Sequence, residues 1–260
     1  MRRGRKENNQ TGRVLADEIA YWIGLQVETA GAEGAVLGMS GGLDSSVSAI
    51  LCKRALGDKV LGLIMPCHSL PSDEEHARLV ADLFDIRAEN IDLEPVFDLF
   101  LSSLPDDGHL PVANLKPRLR MIGLYYCSNR LNYLVVGSGN KSELMTGYFT
   151  KYGDAAADIL PLGGFFKTEV RQLAQQLGVP EEIIAKPPSA GLWAGQTDEG
   201  ELGITYDELD RALRALQSGQ TNLPNDEVFA RVREMVSRSH HKRAPIPIYE
   251  PSVADSTIAT

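Results

Sequence analysis

Cysteine is scarce in this chain. Its 260 residues hold three, at positions 52, 67 and 127, with no C-x-x-C spacing. That excludes a disulfide framework and a paired-cysteine zinc site, and it fits a reducing compartment. Long apolar runs are missing as well: none reaches the ~18 residues that a membrane span requires. The start, "MRRGRKENNQTGR", is basic and polar, and no apolar segment follows at secretory spacing. A cytoplasmic location without a membrane partner is therefore expected. Basic charge is in deficit too. Twenty-six Lys and Arg stand against 35 Asp and Glu, a net −9, which disfavours a nucleic-acid partner but leaves room for a local basic pocket. Internal repeats and low-complexity tracts are absent. What remains is 43% hydrophobic and 23% charged, a composition able to bury a sizeable core.

Periodicity then orders the chain. Leu15, Ile19, Trp22 and Ile23 fall at helical spacing, which predicts a helix over 13–29 with Trp22 in the core. Short apolar runs predict strands at 34–40, 59–66, 87–93 and 132–139. Helices are expected at 44–56, 72–84, 114–130, 167–177, 205–216 and 225–239. Ser72 with Glu75 three residues on has the spacing of a capping box. Pro117 is tolerable near the start of its helix, where backbone N–H groups have no helical partner. The stretch "KPPSAGLWAGQTDEGELG" (186–203) is rich in Gly and Pro and reads as a mobile loop. The ends, 1–12 and 245–260, are expected to be flexible. Strands alternating with helices imply a doubly wound α/β domain across 1–260, with a parallel sheet and helices on both faces. Ligands of such sheets bind beyond the carboxyl ends of the strands, where strand order reverses.

Two predicted strands end in Gly/Ser-rich loops, "SGGLDSS" (40–46) and "GSGNKSE" (137–143). The first offers backbone N–H groups, a helix start and three hydroxyls, all suited to a phosphate. Asp44 would repel that anion unless it held Mg²⁺, which bridges carboxylate and phosphate; the alternative is a plain helix N-cap. Neither loop has the Walker A or the GxGxxG spacing, which disfavours P-loop NTPases and Rossmann dehydrogenases. Taken singly, other residues have plain readings. Lys151 and Lys167 could be solvated lysines, Glu143 a first-turn carboxylate, and "HHKR" (240–243) an exposed basic helix end.

"GMSGGLDSS" resembles the signature of the ATP pyrophosphatases, which cleave ATP between its α- and β-phosphates. Further stretches resemble one branch, the ammonia-dependent NAD⁺ synthetases: "NLKPRLRM" (114–121), "VVGSGNKSELMTGYFTKYGDAAADILPL" (135–162), "KTEVRQLA" (167–174), "PSAGLWAGQTDEGELGITYDELD" (188–210) and "HHKR". They run in the family's order from about 34 to 243. The resemblance implies an adenine nucleotide α-hydrolase-like fold, with about five strands in the order 3-2-1-4-5. It implies adenylation of the carboxylate of deamido-NAD⁺ by ATP, then attack by ammonia to give NAD⁺ and AMP. Glutamine-dependent members carry an additional amidase domain, for which the length leaves no room.

By the same resemblance Gly38, Met39, Ser40, Gly41, Gly42, Leu43, Asp44 and Ser45 cradle the phosphates. Ser138, Lys167 and Ser189 contact ATP, Asp44 and Glu143 hold Mg²⁺, and Asp44 and Lys167 are catalytic. Arg118, Lys151, Asp158, His241 and Lys242 hold the dinucleotide. Members are homodimers, and Met121, Ile122, Leu124, Tyr125 and Tyr126 either meet a second copy or face the sheet. Two positions depart from the pattern: Gly191 stands where members have Asp, and Pro117 where they have Ala. Rival readings are a GMP synthetase-like or tRNA-modifying pyrophosphatase and a nucleotide-binding sensor without turnover. A GMP synthetase does not account for "TGYFTKYGDAAADILP", and the tRNA enzymes usually bring a basic surface and catalytic cysteines, neither of which is read here. The sensor has no use for Glu143, Lys167 and a closing loop together.

Overall fold

A computed structural model describes residues 2–105, 108–193, 195–219 and 226–250, with side chains outside 2–13 and 226. Its strands are β1 (Gly34–Gly38), β2 (Val60–Ile64), β3 (Ala88–Asn90) and β4 (Tyr133–Val135). They form a parallel sheet in the order β3-β2-β1-β4, with Ala35 opposite Val60, Gly34 opposite Tyr133 and Gly62 opposite Ala88. The fifth strand is reduced to one parallel bridge between Val136 and Ile159, sealed by the Gly137 N–H on the Ile159 carbonyl (3.0 Å). Pro161 has no N–H to extend that ladder, and Gly163 and Gly164 follow in a turn. The strand order thus agrees with the expectation, and the fifth strand does not.

The helices are α1 (Arg2–Thr29), α2 (Leu43–Leu56), α3 (Pro71–Leu83), α4 (Glu94–Leu101), α5 (His109–Ala113), α6 (Leu115–Leu131), α7 (Lys141–Thr146), α8 (Lys167–Leu177), α9 (Glu181–Ile184), α10 (Asp198–Leu202), α11 (Tyr206–Gln217), α12 (Asp226–Arg238) and α13 (His240–Arg243). Successive strand residues point to opposite faces, and the core splits accordingly. Ala35 and Leu37 of β1 pack with α1, α2, α3 and α8, whereas Val36 packs with α4 and α6 on the other face. Both central strands are buried on both sides, as a parallel sheet requires. A third cluster joins α11 and α12 beside α7 through Tyr206, Leu209, Leu213, Phe229 and Val232. All three cysteines are free and buried. Among the described residues no helix is long and apolar enough to cross a membrane.

Five local expectations need correction. The helix expected at 13–29 begins at Arg2. Trp22 is 37% exposed rather than in the core, because Ile19, Ile23 and Val27 take the buried stripe of α1. The Ser72–Glu75 capping box does not form: Pro71 opens α3 with its preset φ, and Leu70, with no polar side chain, is the N-cap. The predicted strand 87–93 contracts to Ala88–Asn90. The span 186–203 is not all loop, because Thr197 caps the short α10 through the Gly200 N–H (3.2 Å). The part of the C-terminal expectation beyond residue 250 lies outside the described residues.

Gly34, at the start of β1, has no room for a side chain. A Cβ there would sit 2.2 Å from the Lys59 carbonyl oxygen, inside the pairing between β1 and β2. Gly34→Ala is expected to lower stability by about 1–3 kcal/mol, read as a lower urea midpoint with an unchanged slope.

Candidate active site

The carboxyl ends of β1, β2 and β4 open into one crevice of about 790 Å³. At its floor β1 passes through Ser40, Gly41 and Gly42 into α2. Gly41 has φ +72°, and a Cβ on it would lie 2.1 Å from the Asp73 carbonyl oxygen, so only glycine fits. Gly42 is the N-cap of α2, which puts Asp44 inside the first turn rather than at the cap. The hydroxyls knit the turn together. Ser40 and Ser45 are bonded at 3.0 Å, and Ser45 and Ser46 donate to the Gly42 carbonyl at 3.0 and 2.8 Å. The opening N–H groups of α2 have no helical acceptor, and Leu43, Asp44 and Ser45 line the crevice, as a helix start that receives an anion requires.

Three elements meet over that turn. Asn140 and Glu143 form a reciprocal capping box at the start of α7 (3.0 and 3.2 Å), and the Asn140 side-chain amide donates to Asp44 at 3.1 Å. Lys167, the first residue of α8, sends its ammonium to Asp44 and lies 3.4 Å from Glu143. Its side chain is only 5% exposed, so it is not a surface lysine. The start of α8 is itself anchored. The Lys167 N–H donates to the Ser142 hydroxyl (2.9 Å), and that hydroxyl donates to buried Asp210 (2.5 Å). Asp210 also accepts the Thr168 N–H (2.9 Å). The Tyr206 ring lies 5.2 Å from the ammonium, and its hydroxyl donates to Asp198 (2.9 Å).

One ammonium therefore serves two carboxylates, with Asp198 nearby. Burial opposes the Lys167 charge, but Asp44 and Glu143 outweigh it and hold its pKa above the ordinary lysine value. Burial, helped by the Asp44 charge, pushes Glu143 up to about 8 against the pull of Lys167. Burial raises Asp198 as well, and its Oδ1 has no partner among the described residues. The cluster is short of positive charge.

Segment 186–203 crosses the crevice. Lys186 pairs with Asp73 (2.5 Å). The Leu192 carbonyl accepts from Lys116 (2.8 Å), its N–H donates to Gln196 (2.7 Å), and Trp193 meets His109 edge-on at 5.0 Å. Gly191 takes φ +63°, and a Cβ there would lie 3.8 Å from an Asp73 carboxylate oxygen. An aspartate at 191 would thus face Asp73, a repulsion that glycine spares. Pro117 is buried in the first turn of α6 against Gly153.

Of the residues predicted from the sequence, Gly38, Met39, Ser40, Gly42, Leu43, Asp44, Ser45, Ser138, Glu143, Lys167, Ser189 and Lys242 line the crevice. Arg118, Lys151, Asp158 and His241 do not line it. Arg118 donates to the Lys151 carbonyl (3.3 Å), and the Lys151 ammonium to the His241 carbonyl (2.9 Å), which links three of them along an outer rim. Lys242 donates to the Gly147 and Phe149 carbonyls at 2.7 and 2.8 Å. Asp158 accepts from the Tyr125 hydroxyl (3.1 Å) and the Val135 N–H (2.7 Å). Sequence reasoning missed Asn140, Asp198, Tyr206, Asp210 and the Asp73–Lys186 pair. Only Asn140 carried a signal, as an N-cap three residues before Glu143.

A family model for NAD synthase matches residues 15–246. The chain belongs to the NAD synthase family. It is 46% identical over 230 residues to the NH₃-dependent NAD⁺ synthetase of Finegoldia magna, covering 88% of this chain and 92% of that one. With the enzyme of the same name from Archaeoglobus fulgidus it shares 47% over 237 residues, covering 90% and 95%. Its fold matches an NMN synthetase from Francisella tularensis with TM-score 0.83, 35% identity and coverage of 92% and 98%. It also matches an NH₃-dependent NAD synthetase from Campylobacter jejuni, with TM-score 0.79, 29% identity and coverage of 92% and 99%. Membership makes the chain an enzyme and removes the sensor and the other pyrophosphatases as readings.

The Glu143 carboxyl generates a pH prediction. Its pKa rises on folding to about 8, so the folded chain keeps a proton that the unfolded chain releases in the ordinary glutamate range. Stability then falls as pH rises through that window. Melting of the ligand-free protein is expected to show a Tm that declines toward pH 8, with a flatter profile for Glu143→Gln. A wild-type Tm independent of pH across the window would contradict this.

Proposed function

We propose that this enzyme joins ammonia to deamido-NAD⁺ at the expense of ATP. The substrate carboxylate attacks the α-phosphorus, and the bond to the β-phosphate breaks, which releases pyrophosphate and leaves an acyl adenylate. Ammonia then adds to the acyl carbon, AMP leaves with the C–O electron pair, and nitrogen sheds its proton, giving NAD⁺. The observation that carries this reading is the Asp44–Lys167–Glu143 cluster directly over the Ser40–Ser45 turn.

In this reading Gly38, Met39, Gly41, Gly42 and Leu43 let the backbone approach ATP. Ser40 and Ser45 exchange their mutual bond for the phosphates, while Ser138 and Ser189 contact the nucleotide. Lys167 neutralises charge as it develops on the departing pyrophosphate, where a preorganised cation is worth most. Arg118, Lys151, Asp158, His241 and Lys242 hold the dinucleotide.

The donor set also fits Mg²⁺. Asp44 and Glu143 are hard oxygen ligands short of positive charge, and among the described residues no third Asp, Glu, His or Cys completes an all-protein cage. Mg²⁺ is commonly held by one or two carboxylates plus substrate phosphates and water. When bound, it would screen the phosphates from the carboxylates and stabilise the leaving group.

We further read 1–260 as one cytoplasmic synthetase domain that works as a homodimer. On α6, Ile122 (59%) and Tyr126 (66%) are exposed, and Leu99 and Phe100 of α4 are exposed as well. Apolar side chains of this kind suit a second copy.

Protein mixed with Mg·ATP, ammonium and deamido-NAD⁺ should form NAD⁺ and AMP in equal amounts. A parallel reaction offers nicotinate mononucleotide, because one structural neighbour is an NMN synthetase. AMP release independent of either acceptor would overturn the reading. Asp44→Asn is expected to lower turnover by about 10²–10³-fold while leaving dinucleotide binding intact.

A further inference from the structure

Two cations of α6, Arg120 in the crevice lining and Lys116 beside it, make no ion pair among the described residues. Lys116 and Arg120 are four residues apart on α6 and so share one face. Lys116 is 6% exposed, and its ammonium donates to the Leu192 carbonyl (2.8 Å). Arg120 donates from Nε to the Met65 carbonyl (3.1 Å) and from Nη2 to the Ser69 hydroxyl (3.2 Å), just beyond the end of β2. All three acceptors are neutral. Among the described residues, neither cation has a carboxylate oxygen within 4.0 Å. Burial lowers the pKa of both, and the Arg120 charge further lowers that of Lys116.

Lys167, by contrast, has two carboxylates. A guanidinium carries five N–H donors in a planar fork. Arg120 uses Nε and one from Nη2, has no protein acceptor on Nη1 among the described residues, and lines the crevice. Holding a desolvated charge without a partner is costly, and a planar fork of free donors matches an oxyanion in two-point contact.

We propose that Arg120 is a second anion-binding point of this active site, apart from the phosphate turn and Lys167, and that it holds carboxylate or phosphate oxygens of a substrate. Lys116 adds to the positive field there and ties segment 186–203 over the bound group through Leu192. The inference rests on the substrates proposed above, ATP and a pyridine dinucleotide. Either can supply the oxyanion, ATP from its α-phosphate and the dinucleotide from its carboxylate or diphosphate.

The test is separate calorimetric titration of Mg·ATP and of deamido-NAD⁺ into the wild type, Arg120→Gln and Arg120→Lys, with melting curves as a folding control. Glutamine keeps N–H donors for Met65 and Ser69 but removes the charge. Lysine keeps the charge and loses the fork. Arg120→Gln should weaken one substrate by about 10–100-fold, with a weaker dependence on salt, and the substrate affected identifies the source. Arg120→Lys should lose affinity for the same substrate to a smaller degree. Arg120→Gln binding both substrates as the wild type does, with undiminished kcat, would overturn the proposal, as would equal affinities in Arg120→Lys should the glutamine variant not fold. Failure of the underlying reading is distinguishable, because the wild type itself would then not bind the dinucleotide or form NAD⁺.

Discussion

The ammonium of Lys167, buried between Asp44 and Glu143, is the contact through which the three helices around the crevice answer to one another. Asp44 comes from the first turn of α2, Glu143 from that of α7, and Lys167 opens α8. A helix start is favourable for a carboxylate and for an incoming anion alike. Placing Lys167 beside two of them sets an inward-facing lysine against carboxylates that would otherwise repel each other. Removing either kind of charge leaves the other buried without a partner, which costs more than a surface ion pair ever contributes. The brace from Ser142 and Thr168 to Asp210 fixes where α8 begins, and so fixes the lysine.

The sheet explains why these helix starts converge. In the order β3-β2-β1-β4 the chain leaves β1 toward one face and reaches β4 from the other. The crevice lies at that reversal, as the general rule for open parallel sheets requires. β2 contributes its far end, where Met65, Ser69 and Asp73 meet Arg120 and Lys186. Segment 186–203 closes the remaining side through neutral and ionic contacts to α6 and α3. One wall of the crevice is thus rigid backbone, and the opposite wall is a strap held by a few side chains.

The central features were legible because strand–Gly–helix boundaries leave strong local marks. "SGGLDSS" and "GSGNKSE" each showed an apolar run, glycines and polar first-turn residues, and both became strand-to-helix turns of the site. Lys167 was opaque by itself. Its helix reads as amphipathic, and nothing local distinguishes a lysine at a helix start that points inward from one that points outward. Asp210 and Arg120 were opaque for the same reason, since their partners lie 42 to 68 residues away. At the edges of elements local chemistry competed and the weaker signal lost. Pro71 overrode the Ser72 capping box, and Pro161 with its following glycines cut the fifth strand to a bridge. Trp22 went to the surface because three aliphatic residues of α1 already filled the buried stripe.

In the proposed reaction Lys167 acts when pyrophosphate leaves, ahead of any role for ammonia. The most direct measurement is single-turnover formation of the acyl adenylate from Mg·ATP and deamido-NAD⁺, without ammonium, in the wild type and Lys167→Met. The expected result is a rate reduced by about 10²–10³-fold in the variant, with the dinucleotide still bound. Adenylation at the wild-type rate would contradict it.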